Sequence, residues 1–149
     1  MSNFSSLYDA IVTRVVTVLP SHTRLPNPYK ISENAEPFLR QGWGIAMGSA
    51  TNTNRELSCR LSIRRDFTIS ITRKFYALES NVANKESVEK QLMEDMILLV
   101  RDFYNNTSLP GVLGIVGYEN DSGINYVLSE KDNFFVLPIT FSVEHFETI

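Results

Sequence analysis

From Leu57 to Phe75 the chain alternates. Leu57, Cys59, Leu61, Ile63, Phe67, Ile69, Ile71 and Phe75 fall on odd positions, and Ser58, Arg60, Ser62, Arg64, Asp66, Thr68, Ser70, Thr72 and Lys74 on even ones. Successive strand side chains point to opposite faces, so this parity predicts a β-strand with one apolar and one wet face. At about 3.3 Å per residue it would span roughly 60 Å, several times the usual strand. Arg65 and Arg73 break the apolar parity, and a bulge or bend is expected at Arg64-Arg65-Asp66. A small core needs no strand of that length, which implies that part of it projects and meets another chain.

The same reading assigns the remaining elements. Phe4, Leu7, Ile11, Val15 and Val18 recur at spacings of three and four, which predicts an amphipathic helix over 4–19, capped by Ser2 or Asn3 and ended by Pro20. Pro20, Pro26, Pro28 and Pro37 fix φ and remove backbone donors, so about 20–40 reads as a proline-rich connecting arm. Trp43, Ile45 and Met47 alternate with Gly42, Gly44, Ala46 and Gly48, a strand whose bare face calls for close packing over the glycines. Ser49–Asn54 reads as a polar turn into the long strand. Val88, Leu92, Met96, Leu99 and Phe103, widened by Met93, Ile97 and Val100, form the apolar stripe of a second helix over about 84–104.

Three strands are expected to follow, at Val112–Tyr118, Ile124–Leu128 and Phe135–Val143, joined by turns as a meander. Pro138 suggests an edge strand or a bulge. The expected fold class is α+β: one domain over 1–149, a mostly antiparallel sheet with two helices packed on one face, in the order α-β-β-α-β-β-β.

Composition adds little to this picture, and charge adds more. With 149 residues, 43% hydrophobic and 21% charged, the chain has the make-up of an ordinary soluble domain. No apolar run approaches the ~18–20 residues of a membrane span, and the N-terminus lacks the basic-then-apolar pattern of a signal peptide. Residues 1–54 carry a net +1, residues 55–74 a net +4 and residues 75–149 a net −8. A basic strand and an acidic second half could attract a second copy head to tail, or could merely solvate the surface.

Candidate chemistry is sparse. His22, His145 and the single Cys59 have no metal-ligand spacing, and one cysteine excludes an internal disulfide. Cys59 lies on the apolar parity and reads as a small buried hydrophobe. Glu119, Asn120 and Asp121 could hold a cation, but Asp-Ser-Gly is also what a tight turn requires. Glu94 and Asp95 read as helix-surface carboxylates. No nucleophile elbow, phosphate loop or dinucleotide fingerprint is present, so neither an active site nor a cofactor is expected. Arg60, Arg64, Arg65, Arg73 and Lys74 could follow a nucleic-acid backbone. However, no exposed aromatic accompanies Arg60, Arg64 and Lys74 on the even parity, and the net charge of −3 is unlike most nucleic-acid modules.

A short helix, a proline-rich connection, the Trp43-Gly44-Ile45 strand, an overlong alternating strand, a second helix and a closing three-strand meander together resemble the tail terminator proteins of tailed phages, the family that includes the minor tail protein U of lambda-type phages. The segment Glu56-Leu57-Ser58-Cys59-Arg60-Leu61-Ser62-Ile63-Arg64-Arg65 is similar to phage tail-completion sequences. The likeness covers essentially the whole chain in element order and character. It implies a non-enzymatic virion protein, assembled in the host cytoplasm, that forms a ring, expected to be a hexamer, at the head-proximal end of the tail tube. There it would stop tube growth and join tail to neck. The implied partners are further copies of the chain, the tail tube protein and a neck or head-completion protein, with DNA passing through the channel without sequence readout. Arg55, Arg60, Arg64, Arg65, Arg73 and Lys74 would then face a neighbouring subunit or that channel. A neck or head-completion adaptor is the alternative in kind, and a single-strand nucleic-acid binder the alternative in class.

Overall fold

The structure, a computed structural model, describes residues 3–25, 41–54, 60–75, 82–105, 109–110, 112, 116–128 and 133–148. In chain order these form α1 (Asn3–Val18), β1 (Thr23–Arg24), β2 (Gln41–Asn54), β3 (Arg60–Phe75), α2 (Val82–Asn105), β4 (Gly117–Asp121), β5 (Asn125–Leu128) and β6 (Asn133–Thr148). One six-stranded sheet runs β1-β2-β3-β6-β4, with β5 also paired to β6.

This corrects the expected fold class. The order is α-β-β-β-α-β-β-β rather than α-β-β-α-β-β-β, and the sheet is mixed. The added strand lies at the start of the proline-rich connection. Thr23 and Arg24 run parallel to Gly42 and Trp43, and Leu25 N–H donates to the Trp43 carbonyl at 2.7 Å. Prolines flank this pair without occupying it, so Thr23 and Arg24 keep their backbone donors. The rest of the arm, like the predicted strand start at Leu57–Cys59, lies outside the described residues.

The long strand is present but does not project. β3 pairs residue for residue with β6 from Arg60↔Thr148 to Phe75↔Asn133, and both are 16 residues long. The apolar parity of β6 continues past Val143 through His145, which supplies a partner for the whole of β3. The expected bulge is also displaced. β3 is regular, and β2 takes the extra residues, between Met47 and Ala50 and again between Asn52 and Asn54. Ser49–Asn54 therefore belongs to a bulged strand rather than to a turn.

No meander forms at the C-terminal end. β4 and β5 both pair antiparallel to β6, at Ile139–Ser142 and Asn133–Val136 respectively, so they are two lengths of one interrupted strand. Pro138 explains the interruption. Ser122 N–H donates to its carbonyl at 3.0 Å, and the N–H and C=O of a strand residue share one side. The donor missing at Pro138 thus falls on the β4–β5 side, where the ladder breaks. Gly123 takes up the slack at φ 78°, which a side chain would resist. Pro138 accordingly marks a bulge in its neighbour, in the interior of the sheet and not at its edge.

Both helices lie on the odd-numbered face. Leu7, Ile11 and Val15 of α1 and Leu92, Leu99 and Phe103 of α2 share a core with Trp43, Phe67, Ile69, Ile71, Leu137, Ile139 and Phe141. Full burial is worth about 1.5–3 kcal/mol for each such side chain. Phe67 and Phe141 stack at 5.4 Å, and the Phe103 ring meets Phe141 edge-on at 5.1 Å, fixing α2 against the β3–β6 pair. The start of α1 is capped from a distance: Glu147 of β6 accepts from Asn3 N–H at 3.0 Å and Phe4 N–H at 2.6 Å. A carboxylate at that end also complements the helix dipole.

Candidate functional site

The even-numbered face is wet only in part. Ser62, Ser70, Thr72, Phe134 and Val136 are buried on it. Over Gly42 the cover is tight, since a methyl group there would come within 3.0 Å of the Thr23 carbonyl oxygen and 3.2 Å of Leu25 Cδ1. The more exposed zone lies between, where three rows cross the sheet around the buried Ser142. Thr51, Arg64 and Glu144 form one; Asp66, Ser142 and Gly117 the next; Ala46, Thr68, Thr140 and Asn120 the third. Hydroxyls and charged side chains make this platform polar, and between Arg64, Asp66, Glu119 and Thr140 it dips into a recess of about 310 Å³.

Glu119 governs its charge. A one-residue register shift between Tyr118 and Asn120 makes Glu119 the extra residue of a bulge in β4, which aims its side chain back across the sheet. Its Oε1 accepts from Ser142 Oγ at 2.6 Å and from Arg64 Nη2 at 2.6 Å. The Ser142 hydrogen bond, and after it the Arg64 charge, holds this carboxyl below its ordinary pKa.

The six basic residues singled out from the sequence do not form one surface. Arg64 reaches the platform but is paired with Glu119. Arg65 points to the opposite, helix-bearing face: its guanidinium lies 5.1 Å from the Phe4 ring centroid and donates to the Gly48 carbonyl at 3.2 Å. Arg73 faces the same way and meets α2, donating from Nε to Asp95 Oδ2 at 3.1 Å and from Nη1 to Gln91 Oε1 at 3.1 Å. Lys74 is half-buried on the even face. Arg60 lies at the first position of β3, and Arg55 lies outside the described residues.

Two titratable groups that the sequence does not mark as buried, Asp95 and His145, lie in the interior. Asp95, assigned from sequence to the helix surface, is 6% exposed. Besides Arg73 it meets His22 Nε2 at 3.1 Å, so one carboxylate ties α2 to β3 and to the turn before β1. The signal was Arg73 on an apolar parity, together with Asp95 three residues after Leu92 and four before Leu99. His145, 1% exposed, packs against Phe4 at 5.9 Å with neither ring nitrogen hydrogen-bonded. Burial lowers its pKa, Arg65 adds to the lowering, and Glu147, 3.7 Å away, opposes it.

Glu119, Asn120 and Asp121 do not converge on a cation. Asp121 points to the other side of β4 from Glu119 and accepts from Tyr118 Oη at 2.7 Å and Gly123 N–H at 3.0 Å. Among the described residues no group of three His, Cys, Asp or Glu could hold a metal ion, and no helix is long and apolar enough to cross a membrane. No family model matches the chain, and no curated protein matches it either.

Proposed function

We propose that this chain is a structural virion assembly protein, a tail terminator that forms a ring on the head-proximal end of a phage tail tube, stops its growth and joins it to the neck. The observation that favours this reading is the polar, recessed platform around Arg64 and Glu119. It is a sheet face of hydroxyls and paired charges left open beside a helix-covered core, suited to a broad polar contact between subunits. The partners on this reading are further copies of the chain, the tube protein and a neck or head-completion protein, with DNA passing without sequence readout. The protein has no catalytic role on this reading and resides in the virion. Single-strand nucleic-acid binding is disfavoured, because Arg64 and Arg73 already have carboxylate partners within the chain.

The test is electron microscopy of tail-tube subunits polymerising with and without the protein. Tubes of one defined length, capped at one end by a ring, are the expected result. Uncapped tubes of unaltered length would overturn the terminator reading, and binding to the portal instead would indicate the neck adaptor.

A further inference from the structure

The second helix has an apolar surface that the core does not use. Met93 and Ile97, which widen the apolar stripe in sequence, are 40% and 41% exposed, and Leu98 is 48% exposed. With Glu94 and Arg101 they line a groove of about 390 Å³. Positions 94, 97, 98 and 101 follow the i, i+3, i+4, i+7 pattern of a helix-pairing seam. Apolar side chains gathered this way on a surface mark a contact site more often than scattered ones do.

The charges on this seam indicate the occupant. A two-fold axis between Ile97 and Leu98 sets each residue of one helix opposite its mirror position in an antiparallel copy. Ile97 then meets Leu98 of the second copy, and Glu94 meets Arg101 of the second copy, on both sides of the axis. Glu94 and Arg101 are exposed, seven residues apart, so the two ion pairs would lie about 10 Å from each other along the helix. A parallel pairing would instead bring Glu94 against Glu94 and Arg101 against Arg101, so the pattern selects one orientation.

We propose that α2 is a self-docking helix through which two copies of this chain associate antiparallel about Ile97 and Leu98. The contact is isologous and closes at two chains, unlike the head-to-tail contacts of a ring. It therefore stands independently of the tail-terminator reading. About two and a half helical turns bury less than the ~1,600 Å² of a standard interface, so the association is expected in the micromolar range or weaker.

Sedimentation equilibrium of the full chain, from micromolar to millimolar concentration, tests the proposal. The native protein should form dimers, and Leu98→Asp should abolish them with an unchanged circular dichroism spectrum. Arg101→Glu sets two like-charge pairs across the axis and should raise the dimer Kd at least about tenfold. Adding Glu94→Arg to that variant should restore the native Kd to within about threefold, because both pairs are then re-formed with reversed sign. A native protein that stays monomeric throughout, a Leu98→Asp variant that still dimerises, or a double reversal no tighter than the single one would each overturn it.

Discussion

Replacing Asp95 by leucine leaves Arg73 and His22 facing a side chain that can accept nothing. Breaking a buried ion pair from one side typically costs about 3–5 kcal/mol, because the remaining charge stays desolvated. The lower end applies here, since Arg73 retains Gln91 and its side chain is 20% exposed. We expect a loss of about 3 kcal/mol, which for a chain of this size lowers Tm by about 6–12 °C. Arg73→Met keeps the aliphatic stem and leaves Asp95 its contact with His22, so it should cost about 1–2 kcal/mol. The double variant should also cost only about 1–2 kcal/mol, mainly for the orphaned His22 nitrogen, because no unpaired charge remains. The coupling is then about 3 kcal/mol, read from urea denaturation followed by circular dichroism at unchanged m. Additive costs, with coupling below about 0.5 kcal/mol, would refute the pairing across α2 and β3.

Three further outcomes follow from the same geometry. His145 has a folded-state pKa below its unfolded value, so the unfolded chain binds the proton first; stability should fall as pH drops below about 6.5 and level off below the folded pKa. An imidazole NMR resonance from His145 that titrates at the ordinary histidine value would contradict this. Ile69→Asp puts a charge at a 0% exposed position and should unfold the domain, whereas Thr68→Asp on the platform should leave the circular dichroism melt within a few degrees of native. Equal tolerance of the two would mean that the faces of β3 are misassigned. Gly42→Ala should cost about 1–3 kcal/mol in denaturant titration, since the contact it forces is with the Thr23 backbone; an unchanged midpoint would show that β1 is not held there.

Parity located the two faces of β3 and both helix stripes, since those signals depend only on neighbours along the chain. What covers each face was not legible, because that depends on elements remote in sequence. Ser70 and Thr72 look wet by residue type, yet both are buried on the even face, along with Phe134 and Val136 of β6. Pro138 showed that a ladder must break but not which neighbour would break, a choice made by the side to which its nitrogen points. Ser49–Asn54 has only Ala50 as an apolar residue and no alternation to mark it as strand, and is held as one by pairing with β3.

Charge shows the same limit most clearly. The +4 of residues 55–74 and the −8 of residues 75–149 suggest attraction between separate copies, but net charge along a sequence cannot distinguish attraction between chains from attraction within one. In the fold the two blocks meet in cis: Arg73 of β3 with Asp95 of α2, and Arg64 of β3 with Glu119 of β4. A third pair, Arg14 with Asp102, joins the two helices in the same way. Charges already satisfied inside the chain contribute little to drawing in a second copy. The exposed α2 seam differs, because Glu94 and Arg101 are spaced too far apart to pair with each other yet are placed to pair across a two-fold axis. Charge attraction between copies is therefore better sought through the helix than through the basic strand, whose platform offers a neighbour mainly its hydroxyls and already paired charges.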